Sequence, residues 1–565
     1  MTKRIIKKMA GLITRHMLPK LRAHDGPKIS IHSEPTVYLV TSWNTRCGIA
    51  AYSAFLAAEL KKITKIRVVR ITNNRAFSPY YFVRGFTIGR SNSIVHVQFA
   101  YSMFSGLKLW RRWGLSDFAA LLFYFGLAFG RSLVVTTFHE VPKTKNVGGK
   151  VGLFYAKLLD KLVCTVSDLV IVLTSESKER MVQNYGVNRS RLKVIPIGCV
   201  ETPQFLNKDS CKEKLNLSKK TVLTIPGFVS KNHGHDVVIS ILPQLDKDVH
   251  LLIAGGARTK ETATYYEELK KMAQQYHCIE RITFIDDYPI TATILSATDI
   301  AILPYRYSTE SLTLRLLVAY KIPTITSDLS IFKKIKKEYD CIELFRNDDK
   351  DDLIARIQSL LSNKRRQRLL QEQCQKIWKD NRWSIIAAKH AEAYLEVLSG
   401  HPDTIYDDKK QKERIDWLKE NVSGGALEIG CAGGFITSYA NADVGLDINQ
   451  WRIKFAKTKH PEKDFIIASA FSLPFKDKAF GTILIPEILE HVQLKQAEKI
   501  VSESKCVAHK ILITLPNADK INYDKAIVEN PEHLWFPTKD TVLSLIRDCK
   551  IQYTNENDFM LAHWP

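Results

Sequence analysis

Ala426-Leu-Glu-Ile-Gly-Cys-Ala-Gly-Gly434, followed by Val444-Gly-Leu-Asp-Ile448, decides how the last third of this chain folds. An apolar run enters a glycine-rich turn, a helical stretch follows, and a second apolar run ends on Asp447. Glycine carries no Cβ, so such a turn lets backbone approach a ligand closely. Asp447, 19 residues after Glu428 at the tip of the second strand, is placed to accept both hydroxyls of a ribose. A dinucleotide fingerprint G-x-G-x-x-G starting at Gly430 would need glycine at 432 and 435, but the chain has Ala432 and Phe435, so that reading fails.

Further motifs follow in order: Phe471-Ser-Leu-Pro-Phe-Lys-Asp-Lys-Ala-Phe480, Pro486-Glu-Ile-Leu-Glu-His-Val492, the ILITLPN run Ile511–Asn517, and His533-Leu-Trp-Phe536. With the glycine turn, the stretch from Ala426 to Ile546 resembles the class I methyltransferases that use S-adenosyl-L-methionine. The resemblance implies a Rossmann-like domain over residues 421–565. In it Glu428, Gly430, Gly433 and Gly434 would line the methionine and ribose end of the cofactor, and Asp447 would take the ribose hydroxyls. Ile448 would flank the adenine, Ser469 and Ala470 would lie at its edge, and Glu487 would lie near the sulfonium. His491 and His533 are candidates for the base that a hydroxyl acceptor requires, although for each the favoured reading is a histidine bonding backbone at a helix start or beside the substrate lid. The chain departs from the family at Ala432, where a glycine is usual, and at Ser469 and Gly481, where Asp is usual.

Upstream, strand and helix patterns alternate in two further series, the signature of α/β units with parallel sheets. Thr36–Thr41, Ser93–Val97, Leu133–Thr137, Leu169–Leu173 and Lys193–Ile197 are the strands expected of a lobe over residues 35–200. Thr221–Ile225, His250–Ala254, Ile282–Ile285, Ile300–Leu303 and Thr324–Thr326 are those of a second lobe, 201–398, closed by a helix over Trp383–Val397. The polar stretch that follows reads as a linker over 399–420.

Ser42-Trp-Asn-Thr-Arg-Cys-Gly-Ile-Ala-Ala-Tyr52 sets Gly48 between the first strand and first helix, where free backbone N–H groups favour a phosphate. Val95–Gln98, Thr136–Glu140, Pro226–Gly234, Ile253–Gly256 and Thr309–Arg315 follow in order. The run from Pro35 to Leu398 resembles the retaining, two-lobed (GT-B) glycosyltransferases of the family 4-like group, in its bacterial C-G-I-A-x-Y branch. The resemblance implies metal-independent transfer from a UDP- or GDP-sugar. Gly48 would approach the donor diphosphate, Lys231 would neutralise it, and His139 would contact the transferred sugar. Glu310, Ser311 and Leu312 would hold the donor's sugar and ribose. The family's basic pair around Lys231 is incomplete, with Ser230 and His233 flanking it, and its second glutamate is Leu316; the neighbouring Arg315 is the substitute anion contact.

The formal charge of +23 over 565 residues asks for an anionic partner. No zinc finger, RNA-recognition signature or aromatic-basic array is present, so nucleic acid is not expected. Residues 1–24 interleave Ile, Leu and Met at helical spacing with Lys and Arg, which suits peripheral contact with an anionic membrane; a helix docked on the protein's own surface or a partly disordered basic tail fits the same pattern. The ten scattered cysteines contain no C-x-x-C pair, which fits a reducing cytoplasm, at the inner face of the membrane if that contact is made. Phe118–Gly130 is too short to span a bilayer and reads as a buried helix. The combined expectation is a bifunctional enzyme of polysaccharide or lipopolysaccharide-type biosynthesis. It would glycosylate a glycan or lipid-linked acceptor and O-methylate a sugar hydroxyl with S-adenosylmethionine; the alternative is a methyltransferase whose inactive GT-B portion only binds glycan.

Overall fold

The computed structural model describes residues 35–71, 80–100, 116–139, 159–286, 290–399, 409–520, 535 and 537–565, except 44, 46, 92, 309 and 557. The N-terminal helix expected over 1–24 and the candidate base His533 lie outside these residues.

Three sheets follow one another along the chain. The first contains β1 (Thr36–Thr41), β2 (Lys65–Arg70), β3 (Ile94–Phe99), β4 (Leu133–Phe138), β5 (Leu169–Val172) and β6 (Leu192–Val194), all parallel, in the order β2-β1-β3-β4-β5-β6. The second contains β7 (Thr221–Pro226), β8 (Val249–Ala254), β9 (Ile282–Ile285), β10 (Ile300–Leu303), β11 (Thr324–Ser327) and β12 (Glu343–Phe345), in the order β12-β11-β10-β7-β8-β9. The third contains β13 (Ala426–Ile429), β14 (Val444–Asp447), β15 (Asp464–Ile467), β16 (Phe480–Pro486), β17 (Ala508–Pro516), β18 (Lys550–Tyr553) and β19 (Phe559–Trp564), in the order β15-β14-β13-β16-β17-β19-β18. There β19 is antiparallel to both β17 and β18, and the remaining pairings are parallel.

Strands β3, β4, β5, β8 and β10 are buried along their whole length, as parallel strands covered on both faces must be, and their sequences are accordingly apolar runs. Each sheet has one place where consecutive strand order reverses: between β1 and β3, between β7 and β10, and between β13 and β16. Open α/β sheets bind ligands in the crevice beyond the carboxyl ends of the strands at such a point.

Helix α1 (Gly48–Ile63) starts at Cys47, whose sulfur accepts from the Ala50 N–H at 3.2 Å, and ends on Lys61 and Lys62, which complement the helix dipole. Its Tyr52, Leu56, Leu60 and Ile63 are buried. Helix α2 (Lys260–Gln275) opens on a capping box between Thr259 and Thr262. Helix α3 (Leu312–Ala319) is capped by Ser311, whose hydroxyl accepts from Leu314 N at 3.1 Å.

Helix α4 (Trp383–Ser399) leaves the second lobe and packs on the first. At the crossing, Cys199 N donates to Asn381 O at 2.6 Å and Trp383 N donates to Cys199 O at 3.2 Å. A Cβ on Gly198 would stand 2.4 Å from the Trp383 ring, so only glycine fits under it. Trp383 also packs edge-on against Tyr52, with ring centroids 5.0 Å apart.

The third unit begins earlier than expected. Residues 409–420, expected as the end of the linker, belong to helix α5 (Lys409–Asn421), with Ile415 and Leu418 buried against Ala426, Leu484 and Leu512. Helix α6 (Gln450–Lys459) then carries Trp451 and Phe455 into the core shared by α1 and α4. Lys459 Nζ reaches Glu392 Oε1 of α4 at 2.8 Å at the edge of this contact. Among the described residues no helix is long and apolar enough to cross a membrane. Phe455 is 1% exposed, so Phe455→Ala is expected to cost about 3–5 kcal/mol, the range for emptying an aromatic core site. Urea denaturation checks this, and a loss below about 1 kcal/mol would mean that the contact between the units contributes little.

Candidate functional site

The predicted site residues collect at the three reversal points. Gly48 follows β1, and Gln98 near the end of β3 lies beside His139, which follows β4. Gly227 follows β7 and Glu310 lies beyond β10; Gly430 follows β13 and Glu487 follows β16.

On the first-lobe wall of the cleft, a Cβ on Gly48 would meet nothing within 4 Å among the described residues, so the start of α1 stands open to them. Burial alone would raise the Cys47 thiol, but hydrogen bonds with Ser42, Thr45 and the Ala50 N–H, together with the positive charge of Arg258, leave it below its usual range. The His139 ring meets Tyr52 edge-on at 4.8 Å, and its Nε2 donates to Gln98 Oε1 at 2.8 Å. The Gln98 amide donates to His96 Nε2 at 3.1 Å, and His96 Nδ1 donates to the Tyr394 hydroxyl of α4 at 2.6 Å. Burial, then the neighbouring His390, lowers the pKa of His139 to about 3. It is therefore a neutral hydrogen-bonding group at physiological pH, suited to a sugar hydroxyl rather than to phosphate charge.

On the second-lobe wall, Gly227, Gly255 and Gly256 all have positive φ. A Cβ on Gly255 would stand 2.6 Å from Gly227 O, which makes this a place of backbone against backbone. Lys231 does not point into that cradle alone: its Nζ lies 3.6 Å from Glu268 Oε2 and 5.6 Å above the Tyr265 ring, both on α2. His233 Nδ1 donates to Phe228 O at 2.5 Å while its ring stacks on Tyr305 at 4.4 Å. Glu310 Oε1 lies 3.7 Å from Arg315 Nη2, and both side chains are 6% exposed. Burial raises the Glu310 carboxyl even though Arg315 pulls it down. Arg315, expected as an anion contact, is thus committed to Glu310 and to the neighbourhood of Cys199 and Cys341; its Nε and Nη1 have no hydrogen-bond partner. Ser311 and Leu312 form the cap and first residue of α3.

In the third unit, Gly430 and Gly434 have positive φ, and so does Ala432 at +46°. Ala432 thus holds, at some strain, a conformation glycine adopts freely. A Cβ on Gly433 would press on Phe455 at 3.0 Å and lie 3.9 Å from Leu395 of α4. Asp447 Oδ2 accepts from Ala432 N at 3.0 Å and Oδ1 from Asn449 N at 2.8 Å, which fixes the carboxylate beside the turn. Ile448 is 66% exposed next to it. Ser469 Oγ accepts from Phe471 N at 3.2 Å, and Ala470 is half-buried beside it.

Three acids meet one guanidinium beneath this loop. Glu428 is buried and accepts a hydrogen bond from the Thr437 hydroxyl. Glu487, at φ +51°, places Oε1 3.1 Å from Arg414 Nε of α5. Glu490 is 1% exposed, and neither of its oxygens has a hydrogen-bond partner among the described residues. Burial, then the Glu487 charge, holds Glu490 far above the carboxylate range. The His491 ring is half-buried one residue on, and its backbone N–H donates to Ile488 O at 3.1 Å. The sequence reading missed Arg414, hidden in the supposed linker, and Glu490, which stood unremarked inside the quoted E-I-L-E-H-V run. It also passed over Arg258, whose charge reaches both Cys47 and His233.

Burial raises Glu428 from 4.5 to about 7. The folded chain therefore keeps a proton that the unfolded chain releases, and stability falls as pH rises from about 4.5 to about 7. Glu428→Gln is expected to flatten that fall by up to about 3 kcal/mol in urea titrations across this window. An unchanged slope would contradict the burial of an acid with a raised pKa at this position.

A family model described as glycosyl transferases group 1 matches residues 207–377, and one described as methyltransferase domain matches residues 427–510. A D-inositol 3-phosphate glycosyltransferase of Xylanimonas cellulosilytica is 28% identical over 161 residues, 26% of this chain and 38% of that protein. A mannosylfructose-phosphate synthase of Agrobacterium fabrum is 25% identical over 202 residues, 33% of this chain and 43% of that protein. The chain spans less than half the length of these two curated relatives. Among solved structures, Anabaena HepE in complex with UDP-glucose superposes with a TM-score of 0.54 at 13% identity, over 64% of this chain and 100% of that one. Sucrose-phosphate synthase of Thermosynechococcus elongatus does so with a TM-score of 0.51 at 14% identity, over 65% and 100%. These superpositions give the first two lobes the GT-B fold. Residues 207–377 are thus a group 1 glycosyltransferase domain and residues 427–510 a methyltransferase domain, and the chain is a fusion of the two transferase families.

Proposed function

We propose that the chain is a bifunctional enzyme that transfers a sugar from a UDP- or GDP-sugar to a carbohydrate or lipid-linked acceptor and O-methylates a sugar hydroxyl with S-adenosylmethionine. The observation that carries this reading is the placement of each predicted residue set at its own reversal point, in units that share one buried core across α4. The glycosyl transfer is read as retaining and metal-independent, as the resemblance implies. His139, Glu310, Ser311 and Leu312 are its sugar- and ribose-facing groups, and the open start of α1 at Gly48 is its first-lobe phosphate contact.

The methyl-donor site fits its cofactor on two grounds. Asp447 is fixed by two backbone N–H groups at the end of β14, beside the turn, as a ribose acceptor needs. Glu428, Glu487 and Glu490 outnumber Arg414, a balance that suits a cationic sulfonium and α-ammonium. S-adenosylmethionine supplies an electrophilic methyl group when bound. The chain's own part is to orient that group and to take the acceptor's proton, for which His491, beyond the carboxyl end of β16, is the candidate. The GT-B neighbour solved with UDP-glucose supports a nucleotide-sugar in the first cleft, and the basic surface supports an anionic, lipid-linked acceptor at the inner face of a membrane.

A second reading, a methyltransferase whose GT-B portion binds glycan without transferring sugar, is favoured by Leu316 in place of the family's second glutamate and by the pairing of Lys231 with Glu268. Nucleotide-sugar hydrolysis by the intact chain excludes it. In a thermal-shift panel S-adenosylmethionine and one of UDP or GDP should each raise Tm, since a ligand at about a hundred times its Kd stabilises by about 2.7 kcal/mol. Asp447→Ala should lose the methyl-donor shift and keep the nucleotide shift. No shift of the wild type with S-adenosylmethionine rejects the methyltransferase half, and none with either nucleotide rejects the glycosyltransferase half.

A further inference from the structure

We infer that Arg258, and not Lys231, supplies the positive charge that holds the diphosphate of the nucleotide-sugar. The inference rests on the nucleotide-sugar reading above and adds the residue that makes the second-lobe wall cationic.

Arg258 leaves the Gly255–Gly256 turn at the carboxyl end of β8, and its backbone N–H is fixed by the Thr262 hydroxyl at 2.9 Å. Its guanidinium lies 5.5 Å from the centre of the Phe228 ring, on the residue that follows Gly227. A flat guanidinium over a ring is held in one plane while its N–H fork stays free to bind two phosphate oxygens. Among the described residues no carboxylate pairs with it, and its field is felt by Cys47 beside Gly48 in the opposite lobe and by His233 in its own. By contact it belongs to the second-lobe wall, beside Phe228 and Gly227.

The alternatives on this wall are already engaged. Lys231 shares its charge with Glu268 and lies over Tyr265. Burial lowers the His233 pKa, and its Nδ1 is used by Phe228 O. Arg315 is buried against Glu310. A sugar diphosphate carries two negative charges into the cleft, and among the described residues Arg258 is a cation beside the glycine cradle with no carboxylate paired to it.

Calorimetric titration of the full chain with UDP or GDP, whichever the wild type binds, tests this. Arg258→Ala should weaken the nucleotide about 10- to 100-fold, the span of a lost charge-assisted pair, and Arg258→Lys should recover part of it. Lys231→Ala should stay within about twofold of wild type, as expected for an exposed ion pair. Binding of the corresponding nucleoside, followed by saturation-transfer NMR, should be the same in wild type and Arg258→Ala. Wild-type binding with no change in Arg258→Ala overturns the inference, as does an equal loss in Lys231→Ala or a parallel loss of nucleoside binding. A wild type that binds neither nucleotide overturns the nucleotide-sugar reading itself.

Discussion

The buried contact of Tyr52, Trp383, Tyr394, Trp451 and Phe455 is what makes one molecule of three sheets. Helix α4 lies at its centre. One side of it presses into α1 of the first lobe, and the other takes Trp451 and Phe455 from α6 of the methyltransferase unit. Burying aromatic side chains is among the largest favourable terms available to a chain, so the units have a strong reason to stay docked. Both sites depend on this helix for their shape. Tyr394 anchors the His96–Gln98–His139 hydrogen-bond chain of the glycosyltransferase cleft, while the next residue, Leu395, lies under the Gly433 turn of the methyl-donor site.

The same topology yields opposite electrostatics in the two places. In the GT-B cleft, Arg258 has no carboxylate partner among the described residues, while His139 and His235 are held neutral by burial and Lys231 and Arg315 are paired. In the methyl-donor pocket, three carboxyl groups crowd one buried guanidinium, and burial and mutual repulsion raise two of them. A cleft with a spare cation suits a diphosphate, and a pocket rich in acid suits a sulfonium. These preferences belong to side chains placed around the sheets, not to the sheets themselves.

The parts of this arrangement that were legible in sequence were those whose signal is local. Buried parallel strands are continuous apolar runs, so β1, β3, β4, β8, β10 and β13 could be read directly, and the glycine turns beside them marked the crevices. Strand β2 was not read, because its KIRVVR sequence is an exposed edge whose alternation carries charges. Helix α5 gave no apolar periodicity to read, because eight of its thirteen residues are charged; among the described side chains Arg414, Ile415 and Leu418 are buried and Trp417 packs beside them. The direction of a long side chain is a tertiary fact: Lys231 sat at a promising place in the sequence, yet Glu268 and Tyr265, more than thirty residues away, set where its ammonium lies. Arg258 had no distinguishing spacing at all among 82 basic residues.

The proposed function requires that a single folded chain carry two separate and simultaneously available transferase sites. Equilibrium dialysis of the intact chain against S-adenosylhomocysteine and the bound nucleoside diphosphate together measures this most directly. One molecule of each per chain, with neither displacing the other, is the predicted result. Saturation by only one of them, or mutual exclusion of the two, would contradict the account.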